Sequence, residues 1–79
     1  MRVSELVNDL QALRGVLADE LLAVNSAEPL IDQLAHDDAR AVVKRIVDAH
    51  KQHVALLQRA IERLDPKQAE AARNIAQEQ

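Results

Sequence analysis

The chain has 79 residues, a formal charge of −3 and 48% hydrophobic residues, with no Phe, Tyr, Trp or Cys. A chain this short makes one small domain whose core needs help to be stable, and without cysteine it has neither disulfide nor zinc–thiolate staple. Interleaved acids and bases leave no basic stripe for nucleic acid, aromatic base stacking is excluded, and Leu21-Leu22-Ala23-Val24, the longest apolar run, is far too short to span a bilayer.

Ala, Leu, Val, Gln and charged residues dominate, beside one Gly and two Pro, which predicts an all-α fold. The layout reads as an antiparallel helical hairpin plus a short C-terminal helix, in one domain over residues 1–79. The first helix is expected over about 4–35, opening at Ser4 with Glu5 in an acidic first turn. Its heptad runs through Val3, Leu6, Leu10, Leu13, Leu17, Glu20, Val24, Ile31 and Leu34, and Val7, Val16 and Leu21 widen the stripe to bundle width. Gly15 lies inside it at a cost of about 1 kcal/mol against alanine. Pro29 deletes the hydrogen bond to the Asn25 carbonyl, so a kink is expected there.

His36-Asp37-Asp38 reads as the turn, with Asp37 capping a second helix over about 38–64. Its apolar positions are Ala39, Val42, Val43, Ile46, Val47, Val54, Leu57, Ile61 and Leu64. Asp65-Pro66 is expected to end it, since the residue before proline disfavours the helical region. Pro66 then suits the start of a third helix over about 67–77, whose face of Ala69, Ala72, Ile75 and Ala76 forms only by docking. Asp48, Lys51, Gln52, Arg59, Glu62 and Arg63 form the wet face of the second helix, with pairs such as Arg59 and Glu62. The N-terminus has no signal-peptide layout, so a cytoplasmic protein is expected, with neither nucleic-acid nor membrane partners.

Three polar residues interrupt the seam. Glu20 takes a core slot on the first helix, and His50 and His53 take core slots on the second. In a hairpin turning between His36 and Asp37, residues whose numbers sum to 73 share a height, as Glu20 and His53 do. His50 lies one turn away, about 4.5 Å along the axis. One carboxylate and two imidazoles suit Fe(II), Zn(II) or another divalent transition metal and are poor ligands for Ca(II) or Mg(II). The set is similar to the two-His-one-carboxylate triad, which leaves positions open on iron. Each residue taken singly has a bland alternative, a register-setting polar contact or a buried pair; their convergence is what points to metal. A hairpin is half a bundle. Two hairpins about a twofold axis complete four helices and bring six such donors together, enough for two metals with bridging glutamates.

The segments Glu20-Leu21-Leu22-Ala23-Val24, His50-Lys51-Gln52-His53 and Glu62-Arg63-Leu64-Asp65-Pro66 resemble the encapsulated ferritin-like proteins, over about residues 17–66. The resemblance implies a half-ferritin whose homodimer is a ferritin-like four-helix bundle around a di-iron site. It further implies a ring of dimers inside a nanocompartment built by an encapsulin-type shell protein. On this likeness Glu20 is the bridging carboxylate, His53 the terminal imidazole, and Asp19 an acid beside the metal's way in. This chain departs from the pattern at His50, where the family has glutamate, at Leu22, where an acid is common, and at Ser26 and Ala27, where aromatic residues usually follow. His50 leaves the paired site less negative by two charges, which favours Fe(III) less and so weakens ferroxidase activity. The expected function is therefore iron binding at a twofold interface, with oxidation of Fe(II) for storage. Two other readings stay open: a non-catalytic structural or storage metal site, with zinc among the candidates, and a metal-free helical interaction module.

Overall fold

The structure, a computed structural model, describes residues 2–78, with side chains through Pro66. It is all-helical: α1 spans Val3–Ile31 and α2 spans Asp37–Glu78, packed as a hairpin across residues 32–36. No strand forms among the described residues.

The helix starts differ from expectation. Arg2 stands at the N-cap of α1 with no side-chain cap bond, so Ser4 lies within the first turn. Asp37 is the first residue of α2 rather than its cap, and the Arg40 amide bonds the His36 carbonyl at 3.0 Å. Pro29 lies inside α1, which ends two residues later at Ile31 rather than near 35, leaving Leu34 and Ala35 in the connection. Arg40 fastens that connection: its guanidinium donates to the carbonyls of Leu34 at 2.7 Å and Ala35 at 3.3 Å, and to the Asp37 carboxylate.

The break expected at Asp65-Pro66 does not occur, and α2 runs through Pro66 to Glu78 without a separate third helix. Proline removes one backbone donor and crowds the carbonyl of Glu62. The chain beyond it, rich in Ala, Gln, Glu, Lys and Arg, propagates helix well enough to carry the turn across. With 42 residues against 29, α2 continues past the start of α1, and it sets the long dimension of a molecule 63 × 15 × 14 Å.

Only Leu6, Leu10, Val24 and Val47 are fully enclosed among the described side chains. Leu13, Leu17, Val43, Val54, Leu57, Ile61 and Leu64 line the seam half-buried. One flank of the seam is closed by ion pairs between the helices, Arg14–Asp65 at 2.8 Å and Lys51–Glu28 at 3.1 Å. Arg59 and Arg63 instead turn their Nε–H groups back to the carbonyls of Ala55 and Arg59. The opposite flank stays open. By helical periodicity Val16 and Leu30 of α1 share it with Val42, Ile46 and Leu56 of α2, and all five are exposed.

Candidate metal centre

Glu20 lies two-thirds of the way along α1, and His50 and His53 stand one turn apart on α2. The short connection forces the helices antiparallel, which brings position 20 of one opposite positions 50–53 of the other. The carboxylate sits between the two rings. Its Oε1 accepts the Nδ1–H of His53 at 3.2 Å, and its Oε2 accepts that of His50 in a closer contact. The rings meet edge to face, with centroids 5.9 Å apart and planes at 85°. The expected height match therefore holds, and it extends to His50, which makes the tighter contact of the two.

The electrostatics follow. The hydrogen bond from His50 holds the Glu20 carboxyl below the usual carboxylate range; partial burial opposes this, and the charge of His50 and the contact from His53 add to the lowering. Glu20 stays ionised, and each oxygen has one donor.

The site is not dry. Glu20 is 20% exposed, His50 29% and His53 52%, so the expected core slots are a half-open notch on the unpaired flank. The reason is geometric. Glu20 and His53 lie toward the open edge of their helices, and none of the described side chains closes over that edge. Asp19 is exposed beside the notch, outside the cluster.

Glu20, His50 and His53 bring one donor atom each within 4.8 Å of one another, a grouping of three found among the described residues. Bonds of about 2.0–2.2 Å to imidazole nitrogen and carboxylate oxygen require the three side chains to re-space their donor atoms by rotation, and the half-open notch leaves room for that. Two nitrogens and one oxygen suit a divalent transition metal, and three protein donors leave further positions for water, a substrate or a second set of ligands. Sequence reasoning missed Leu56, which lies outside the heptad but one turn beyond His53 on the open flank, and missed the Arg40 fastening.

No protein-family model matches the chain, and no solved structure matches it. Among curated proteins it is similar to the encapsulin nanocompartment cargo protein EncC of Myxococcus xanthus, with 33% identity over 67 residues that cover 85% of this chain and 52% of that protein. The chain thus spans about half the length of the curated relative it matches.

Proposed function

We propose that this chain is cargo of an encapsulin-type shell inside the cytoplasm, and that it binds iron through Glu20, His50 and His53. The observation that carries the metal reading is the convergence of one carboxylate and two imidazoles from two helices on a half-open face. The likeness to an encapsulin cargo protein supports the association with a shell. A homodimer, with the sites of two copies meeting across a twofold axis in a ferritin-like bundle, is the assembly that fits a bare apolar flank and only four enclosed residues among the described side chains. A ring of such dimers belongs to the same reading.

In this reading iron is the substrate, oxidised from Fe(II) to Fe(III) by dioxygen for storage. Glu20, His50 and His53 orient it and leave coordination positions for the oxidant, while Asp19 draws cations toward the notch. Aerobic addition of Fe(II), followed by ferric absorbance in the near ultraviolet, tests the oxidation. Growth above the buffer rate is expected, and none would sink the ferroxidase reading.

His50 favours a second reading, a structural or storage metal that is held without turnover, because the site has one carboxylate per copy and favours Fe(III) weakly. Elemental analysis of the purified protein beside Glu20→Ala and His53→Ala separates both readings from a metal-free interaction module. The expected result is a clear fall in bound metal in each variant, since losing even a partner of a ligand weakens metal affinity by about tenfold or more. Unchanged metal content in both would remove the site.

A further inference from the structure

Arg40 stands at the closed end of the hairpin, and its bonds differ in kind from the other ties between the helices. The guanidinium donates to the carbonyls of Leu34 at 2.7 Å and Ala35 at 3.3 Å, and to the Asp37 carboxylate. One planar fork thus joins the connection to the first turn of α2, and two of its acceptors are fixed backbone atoms. The connection itself is Asp32, Gln33, Leu34, Ala35 and His36, with neither glycine nor proline to restrict the turn, and no described residue has a positive φ. The last turn of α1 has no basic residue of its own, so Arg40 also supplies the cation that a helix C-terminus favours.

Height at that end is height at the metal centre. His50 lies about 15 Å past Arg40 along α2, and Glu20 about 16 Å before the end of α1. A hydrogen-bonded helix is stiff along its axis, so an axial shift at the connection reaches the site undiminished. The seam resists such a shift weakly, because half-buried aliphatic side chains face one another along most of it. The site tolerates it poorly: three donors must re-space around one ion at about 2.0–2.2 Å, and such a constellation has to be held to within about 0.5 Å. Arg14–Asp65 and Lys51–Glu28 also cross between the helices, but each joins two half-exposed side chains, whose flexible ends follow a small shift. We infer that Arg40 is a positioning residue for the metal centre: by clamping the connection it sets the height of Glu20 against His50 and His53. The inference rests on the metal reading above and adds what holds that geometry.

Anaerobic titration of the full chain with Co(II) tests it, since the visible bands of that ion report both affinity and coordination geometry. Arg40→Gln removes the fork and the charge, and Arg40→Lys keeps the charge without the fork. Both are expected to bind Co(II) about tenfold or more weakly than the native chain, with shifted bands, at temperatures where each keeps its native helical circular dichroism. Arg14→Gln, which cuts a tie at the far end of the hairpin, is expected to stay within about twofold of the native affinity. Native affinity and bands in Arg40→Gln, or full recovery in Arg40→Lys, would overturn the positioning role. An equal loss in Arg14→Gln would overturn it too, by reducing Arg40 to one stabilising contact among several. Failure of the native chain to bind Co(II) would instead remove the metal reading, and the inference with it.

Discussion

At Glu20 a single carboxylate serves two imidazoles, and this division decides how the residue responds to pH. Its pKa is lowered in the folded chain, first by the hydrogen bond from His50. A lowered carboxyl pKa contributes stability that is present above the unfolded value and is lost as pH falls through the folded one. The Tm difference between the native chain and Glu20→Gln, measured without added metal, is therefore expected to be largest near neutral pH and to shrink as pH falls through the carboxylate range. A difference that grows on acidification would contradict the contact. His50 invites the opposite experiment. His50→Glu adds one carboxylate per copy, two per proposed dimer, and should favour Fe(III). The initial rate of Fe(II) oxidation is expected to rise severalfold over the native chain. Height along the hairpin is the reason these three residues could be found from sequence: a connection of a few residues fixes the antiparallel register within about a turn. Their exposure could not be found that way, because seven-residue spacing assigns Glu20 and His53 to the seam without saying how far each leans toward its open edge.

Among the elements, α2 departs furthest from its sequence pattern. Asp65-Pro66 carries a strong local signal for a break, yet the helix passes through it. Pro66 is therefore a cost within the helix, of up to about 3 kcal/mol against alanine and less this far along α2. Pro66→Ala is then expected to raise the denaturant midpoint, by about 1–2 kcal/mol in stability. A true break with Pro66 opening a new helix would give no gain, since proline is favoured at that position. The helix starts show the same limit on a smaller scale. Ser4 and Asp37 are good capping residues by type, but α1 starts before Ser4 and α2 starts at Asp37 itself. Arg40 was unreadable for another reason: its partners are carbonyls of the connection, and backbone acceptors leave no mark in a sequence.

For the whole molecule, the ratio of covered to uncovered apolar surface matters most. Among the described side chains four enclosed ones are few for a fold of this length, and five large aliphatic residues remain bare on one flank. Burying a Leu, Ile or Val yields roughly 1.5–3 kcal/mol, so covering that flank adds more stability than any single contact within the hairpin. The stability of a dimeric fold depends on protein concentration. The thermal midpoint is expected to rise over a hundredfold increase in concentration, and an unchanged midpoint would mean that the hairpin stands alone. By itself the sequence determined the helical class, the hairpin and the three residues that share one height, because periodicity and a short connection act locally and survive any packing. Only the tertiary structure decided that ion pairs close one flank while the other is left open, and that the carboxylate and imidazoles sit in a half-open notch rather than a dry seam. Those outcomes depend on where each side chain lies around its helix relative to the other helix, an angle that residue spacing constrains only loosely.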